Sequence, residues 1–572
     1  MAEAPLWIVL GRVDGAPVAA LLDSAGEEQE RVSLSDDRLP SWVADREAAG
    51  PRWVWSDATP WYTRLLAAGV RVGRCHDLRL CHAILRDSAL VVEAPSLRAA
   101  AEWDAAPVAE VEETATLFAL DDAGGATGAP DGLDETLEEF RRQRAALAEA
   151  SDPGRLRLLL AAESAGALIA AELQAAGLPW DAAAHDRILT EILGERPAGG
   201  GLPARMQDAA DRVRRELGDP AASLDSQPKL LRSLHRAGVL VESTSRWELA
   251  QHDHPVVAPL IEYKKLSRLL SANGWAWVDE WVHDGRFRPV YVPGGVVTGR
   301  WASSGGGALQ IPRQLRGAVR SDPGWVLVVA DVAQLEPRVL AAMARDEKLA
   351  DAARGRDLYS GIVDSGAIDT RQHAKVALLG AMYGATTGES GRLVPRLRRA
   401  YPRAMALVDD AARVGEEGGV VSTWLGRSSP APSSGWRDSQ LRASEAEASG
   451  ADETRARRWA RDRGRFTRNF VVQGTAAEWA LSWLADLRGR LAELPPVTEA
   501  QTSPRSGPVF EARPHLAFFL HDEIIVHTPE DRVDVVVDAV RDAAASAGRL
   551  LFGSFPIDFP LDLKVSRTAV KD

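Results

Sequence analysis

Short apolar runs that stop on acids organise this chain. Leu516–Leu520 and Ile524–Val526 are separated only by the turn His521-Asp522-Glu523, and far upstream Val326–Ala330 ends on Asp331. Runs this short and β-branched predict strands, with the acids standing where each strand stops. Packing does not explain a carboxylate there, because an unpaired buried charge is costly. Two such carboxylates brought together repel unless a divalent cation lies between them. Hard oxygen donors without a nearby His or Cys cluster favour magnesium over zinc.

The same patterning divides the chain. Leu6–Leu10, the turn Asp14-Gly15 and Val18–Leu22 predict strand-turn-strand in an α/β unit over residues 1 to about 110. Residues 111–135 form an acidic Gly/Ala linker. Helical periodicity dominates 136–290, as in LRLLLAAESAGALIAAELQAAG, which Gly177 closes. Strands and helices mix thereafter. Two stretches rich in Ser, Pro and Ala, Ser428–Glu453 and Pro495–Pro508, predict mobile surface loops. No internal repeat is visible.

Composition narrows the picture modestly. With 572 residues, 45% hydrophobic and 26% charged, the chain reads as two to four ordinary soluble domains. It shows no basic-then-apolar leader and no apolar stretch long enough to span a bilayer. The two cysteines, Cys75 and Cys81, exclude a disulfide framework and fit a reducing cytoplasm. Each precedes a histidine, but the spacing matches no usual zinc pattern and predicts a buried structural helix. A net charge of −13 speaks against a polyanionic partner only if charge is evenly spread. Arginine instead concentrates in RLVPRLRRAYPR (392–403) and RARRWARDRGRFTR (455–468), both between the acidic strand ends in sequence. Either run alone is compatible with a solvated helix face; beside a metal-carboxylate centre they suit a polyanionic substrate.

Between those strand ends lies RQHAKVALLGAMYG, residues 371–384. At about 100° per residue, Arg371, Lys375, Leu379 and Tyr383 share one helix face. That face is either an amphipathic surface with two solvated cations or a triphosphate clamp whose far end stacks on sugar and base.

These stretches together resemble family A, the polymerase I type of DNA-dependent DNA polymerases. DVAQLEPR (331–338) is similar to the family's first palm motif, RQHAKVALLGAMYG to its fingers helix, and LHDEIIVH to its second palm motif. TGRWASS (298–304) and RNFVVQGTAAE (468–478) resemble segments that touch primer-template, and LDSQPKLL (224–231) and YKKLSRLL (263–270) resemble thumb elements. The resemblance covers about residues 155–572. It implies an α/β multidomain fold: a right-hand polymerase of palm, fingers and thumb, preceded by a ribonuclease-H-like, exonuclease-type α/β domain. The implied boundaries are thumb over 136–290, palm over 291–335 and 469–572, and fingers over 336–468 with an insertion at 428–453.

The implied activity is addition of dNMP from dNTP to a primer 3′-hydroxyl with two Mg2+ ions, releasing pyrophosphate. Its implied metal set is Asp331, Val332 and Asp522, with Lys375 and Glu523 also catalytic. Arg371, Lys375, Leu379, Tyr383, Gln334 and Glu336 would bind dNTP, Glu336 as the gate that fills the space of a ribose 2′-hydroxyl. Arg300, Arg465, Asn469, Gln473 and His521 would meet DNA. From the residues alone, His521 and Glu523 could equally be a turn cap and a solvated glutamate, and Glu336 a helix-start glutamate. Partners implied are primer-template DNA and dNTPs, with no membrane, for a monomer in the bacterial cytoplasm at the nucleoid.

Three departures stand out. Leu379 takes the place of a usual aromatic, Val332 and Ala333 replace a common Tyr-Ser, and Tyr359 sits where a phosphate-contacting histidine is usual. The first strand ends in Arg12-Val13-Asp14-Gly15 without the Asp-x-Glu pair that two-metal proofreading needs, and Asp45-Arg46-Glu47 lies in a helical pattern. The N-terminal domain is therefore expected to lack 3′–5′ exonuclease catalysis, and the 5′-nuclease domain of longer relatives has no room. A single-subunit RNA polymerase and a non-catalytic primer-template-binding relative are the competing readings; Glu336 opposes the first, and the departures motivate the second.

Overall fold

The computed structural model describes residues 6–105, 128–307, 311–385, 388–445 and 447–570. Most of the acidic linker expected at 111–135 lies outside those residues.

The first sheet shows why its strands read as unbroken apolar runs. β1 (Trp7–Val13) pairs antiparallel with β2 (Ala16–Leu22), which pairs with β3 (Glu28–Ser33); on its other side β1 runs parallel to β4 (Arg52–Trp55), and β4 to β5 (Cys75–Asp77). Both faces are covered, so alternation has no solvent side to mark. Val9, Val18 and Val54 pack with Leu133, Leu137 and Phe140 of α1 (Leu133–Ala148). On the opposite face Ile8, Leu10, Trp53 and Trp55 pack with Leu168 and Ala171 of α2 (Pro153–Ala176). α2 is apolar around most of its circumference because it is buried on most sides. Gly177 ends it at φ +67°, a conformation that penalises side chains.

Contacts divide the described chain into two compact units. The first comprises the residues up to Gly177, Val290–Gly305 and Pro323–Val565; the second comprises Leu178–Pro289, Gly306–Asp322 and the residues from Ser566. The helical block expected over 136–290 is thus split, with α1 and α2 packed on the N-terminal sheet because their apolar faces cover it. In the second unit, helices Ala204–Leu217 and Val257–Asn273 pack together, and Trp180, His185, Trp277 and Phe287 form an aromatic cluster.

The first unit also holds a second sheet, ordered β7-β8-β6-β9: β6 (Trp325–Val332), β7 (His515–Leu520), β8 (Glu523–Pro529) and β9 (Leu561–Ser566). The helices relevant to function are α3 (Leu335–Met343), α4 (Arg371–Tyr383) and the 44-residue α5 (Gly450–Glu493).

Both stretches read as loops are structured. Ser434–Ser444 is a helix capped by Ser433, and α5 opens at Gly450 with a capping box between Ser449 and Asp452. The serines that make the composition look soft are the caps. In Pro495–Pro508, Ser503 and Ser506 are buried, and Trp325 Nε1 donates to the Gln501 carbonyl at 2.8 Å. Cys75 and Cys81 are both buried, but Cys75 lies in a strand and only Cys81 in a helix. α3 ends at Met343, the chain turns at Arg345 (φ +49°), and Asp346 caps the next helix, Glu347–Ala353.

A buried ionic knot ties α5 to α2 and to the loop before β5. Arg488 bonds both Glu172 carboxylate oxygens and the Val72 and Gly73 carbonyls, and Arg71 and Tyr62 bond the same carboxylate. Burial pushes the Glu172 carboxyl up, but Arg488 and then Arg71 outweigh it and carry it down to about 2. Its stabilisation is therefore complete above the ordinary value of 4.5 and drains away as pH falls toward 2. Glu172→Gln strands Arg488 without a counter-ion, so urea unfolding at neutral pH should show a loss of about 3–5 kcal/mol in this unit. The difference from wild type should shrink below about pH 4, and a pH-independent difference would contradict the assignment.

Candidate active site

β6 and β8 are antiparallel neighbours in a register that sets Asp331 opposite Glu523. Val332 N–H donates to the Asp522 carbonyl at 2.9 Å, so the main chains at the two acidic strand ends touch. β7 and β8 are joined through His521 and Asp522, with Leu520 paired to Glu523 and His521 in the left-handed region at φ +55°. Asp331 and Asp522 stay partly exposed, whereas Glu523 is buried in the strand. The solvated-glutamate alternative for Glu523 is thereby excluded. Among the described residues, no group of three or more His, Cys, Asp or Glu side chains is arranged to hold a metal. The donor set offered is two hard carboxylates on adjoining main chain. It fits a cation that keeps water or substrate oxygens as its remaining ligands, as magnesium does.

Glu336, in the first turn of α3, is a hub. Arg300 bonds one of its oxygens, and Tyr383 Oη donates to the other at 2.5 Å. The free helix-start glutamate weighed from sequence is not what the fold contains. Burial, and then the Glu336 charge, raise the Tyr383 phenol above its ordinary value. Partial burial and then Arg300 lower the His521 imidazolium, with Glu336 opposing, although much of the ring's surface remains accessible.

A second link runs from Gln334, the left-handed residue (φ +51°) before α3. Its Nε2 donates to Asp357 at 3.1 Å, and Asp357 receives Arg371 Nε at 3.2 Å and Nη2 at 2.8 Å. Arg371 lies 5.7 Å from the centre of the buried Tyr359 ring. Burial raises the Asp357 carboxyl, but the bond from Arg371 and the capped amide of Ser360 prevail and lower it.

α4 begins where Thr370 caps His373 N–H at 3.1 Å and ends at Gly384, φ +73°. Arg371, Lys375 and Tyr383 are exposed and Leu379 half-buried. Arg468 of α5 buttresses the C-terminal end, donating to the Ala381 carbonyl at 2.7 Å and to Asp409 at 2.5 Å. Further along α5, Arg465, Asn469 and Gln473 recur at four-residue spacing, hence on one face. Gln473 accepts from Thr298 Oγ1 at 3.2 Å, while Arg465 bonds Asp462 and covers Gly384.

The arginine runs are less bare than their sequence suggests. Arg396 pairs with Asp369, Arg398 and Arg468 with Asp409, and Arg457 with Glu453. Acids one turn away, on a facing helix or in the bend before α4 supply the partners. Sequence reasoning missed Asp357, although an Asp three residues before Ser360 is a helix-cap signal. It also missed Arg338, fully buried, which bonds the Ala333, Ala353, Arg356 and Asp558 carbonyls and so locks the turn after β6. Nothing in a local pattern announces a buried arginine.

Comparison with known proteins places these features. Residues 232–568 match DNA polymerase family A. "DNA polymerase I, thermostable" of Thermus thermophilus is 27% identical over 439 residues, 69% of this chain and 46% of that protein. DNA polymerase I of Chloroflexus aurantiacus is 26% identical over 396 residues, 62% of this chain and 38% of that protein. The chain thus spans less than half the length of these curated relatives. A solved structure, the POL domain of Pol1 from M. smegmatis in complex with DNA primer-template and dNTP, superposes with a TM-score of 0.65 at 16% identity. That match covers 97% of this chain and 92% of the other, and shows a common fold.

If the two adjoining carboxylates share a cation, removing one should weaken cation binding directly. Mn2+ titration followed by electron paramagnetic resonance should show at least about tenfold weaker binding for Asp522→Ala than for wild type. Equal binding would remove Asp522 from the metal set.

Proposed function

The chain belongs to DNA polymerase family A, and from that premise we propose that it extends a DNA primer on a template, transferring dNMP from dNTP to the 3′-hydroxyl. The observation that carries the proposal is the β6–β8 pairing, which sets Asp331 opposite Glu523 and bonds Val332 N–H to the Asp522 carbonyl, while Gln334 and Glu336, just past β6, reach both ends of α4. Family A DNA polymerases generally use divalent metal ions; here Asp331 and Asp522, with main-chain oxygen at Val332, would hold magnesium, two ions in our reading. Bound there, magnesium lowers the pKa of the primer hydroxyl and neutralises charge on the triphosphate.

The chain's own residues position the rest. Arg371 and Lys375 would bind the β- and γ-phosphates, Lys375 also standing ready to protonate the leaving pyrophosphate. Arg371 must exchange Asp357 for phosphate to do so, and the bidentate geometry it already adopts suits either anion. Glu336, held by Arg300 and Tyr383, would occupy the space a ribose 2′-hydroxyl needs. Leu379 would border the incoming sugar. Thr298 and Gln473, with Arg300, Arg465, Asn469 and His521, would face primer-template. Glu523, buried opposite Asp331, would adjust the metal end of the strand pair. Positioning and electrostatics then supply most of the rate, with no protein nucleophile.

In domain terms, residues 178–289 would form the thumb, the β6–β9 sheet the palm, and α4 the fingers. The N-terminal sheet would be a proofreading-type domain without catalysis. Arg12 and Val13 close β1 where an acidic pair is needed, Arg12 lies over the Trp61 ring, and Glu47 accepts from Trp53 and Gly73. Among the described residues no helix is long and apolar enough to cross a membrane; a monomer acting on DNA at the bacterial nucleoid completes the reading.

Magnesium-dependent primer extension should fall about a thousandfold or more in Asp331→Ala and in Asp522→Ala. Primer-template binding without extension by wild type would leave only a non-catalytic binding module. Glu336→Ala should lower deoxy-over-ribo selectivity by about tenfold or more, which competing dNTP and rNTP incorporation measures; unchanged selectivity would refute the gate.

A further inference from the structure

The turn Thr298-Gly299-Arg300 carries two of the site's contacts, and its backbone is fixed from outside. Val296 N–H donates to the Arg300 carbonyl at 3.1 Å, and Gly299 N–H donates to Val296 at 2.7 Å with Gly299 at φ +83°. Against the open side of Gly299 lies the guanidinium of Arg427. A Cβ there would stand 2.6 Å from Arg427 Nε, 3.0 Å from Cζ and 3.1 Å from Nη2. All three atoms face one glycine, so the guanidinium packs against the turn.

Arg427 is itself held on several sides. Its Nη2 donates to Glu163 of α2 at 2.6 Å, a carboxylate almost wholly buried. Its main-chain N–H donates to Thr423 Oγ1 at 2.9 Å, and Leu425 N–H donates to Glu478 of α5 at 3.0 Å. The carbonyl of Gly426 accepts from Ser88 of the N-terminal domain at 2.8 Å, and Ser428 Oγ accepts from Ala89 N–H at 2.9 Å. The loop 423–428 is therefore wedged between the N-terminal domain, α2 and α5, and presents one planar cation to the turn. Arg427 Nε is buried without a hydrogen-bond partner, an expense that calls for an explanation.

We propose that Arg427 is a positioning residue for Arg300. Seated on Glu163, it clamps Gly299 so that Thr298 meets Gln473 and Arg300 meets Glu336. The N-terminal domain, lacking the nuclease carboxylates, thereby serves the site through the loop 423–428. The kinetic consequence rests on the polymerase reading; the clamping of the turn does not.

Three variants of the full chain test it: Arg427→Ala, Arg427→Lys and the double variant with Arg300→Ala. Hydrogen exchange of the peptide spanning 294–303 should quicken at least about tenfold in Arg427→Ala, with residues 178–289 unchanged. Lysine keeps a charge for Glu163 but lacks the guanidinium that packs against Gly299, so Arg427→Lys should keep the wild-type thermal midpoint and still show the faster exchange. In single-turnover extension, Arg427→Ala should lose about ten- to a hundredfold in maximal rate with primer-template affinity little changed. In the Arg300→Ala background the same substitution should cost less than about twofold, because the two act as one unit. Unchanged exchange in 294–303, or losses that multiply, would overturn the proposal. If wild type extends no primer, the polymerase reading fails while the exchange result still decides the clamp.

Discussion

The antiparallel pairing of β6 with β8 is the constraint on which everything else in the site depends. Asp331 and Asp522 are nearly two hundred positions apart, and this ladder makes them neighbours by pairing Asp331 with Glu523 and Val332 N–H with the Asp522 carbonyl. A slip by one residue would turn every side chain of β6 to the other face. The slip is resisted from both faces, since Val326 through Ala330 are all buried. Hydrophobic burial along a strand thus sets the position of a charge at its end. Arg338 extends the lock past the strand, with its fan of donors to four carbonyls fixing how the chain turns from Ala333 into α3.

From that turn the site spreads through charge-assisted hydrogen bonds. Gln334 and Glu336 are two residues apart yet reach opposite ends of α4, one through Asp357 to Arg371, the other directly to Tyr383. A 13-residue helix spans about 20 Å, so two anchors so far apart fix its direction. Arg468 adds a third at its C-terminal end. In the proposed function the first anchor would compete with a substrate phosphate for Arg371, while the second would involve no phosphate-binding group. Binding a triphosphate would therefore free one end of α4 from the protein while leaving the other tied to Glu336.

Local pattern revealed those parts of this architecture that are local. β6, β7 and α4 appear within a residue or two of where the apolar runs and the helical face placed them, and β8 runs three residues past its apolar run. The acids at the strand ends were legible because a carboxylate in that position has no packing rationale. The partners of those groups were not. Asp357, Arg338, Arg427 and the Glu172–Arg488 knot lie far from their partners in sequence, and no periodicity encodes a hydrogen bond between distant segments. The Ser-rich stretches misled for a related reason. Ser433 and Ser449 act as caps only because helices follow them, and composition alone cannot separate a cap from a loop.

The most direct test of the central claim is anomalous scattering from crystals grown with Mn2+, primer-template and a non-hydrolysable dNTP. The account predicts manganese peaks within about 2–2.5 Å of carboxylate oxygens of both Asp331 and Asp522, with the triphosphate reaching Arg371. Manganese bound elsewhere, or held by one of these aspartates with the other turned away, would contradict it.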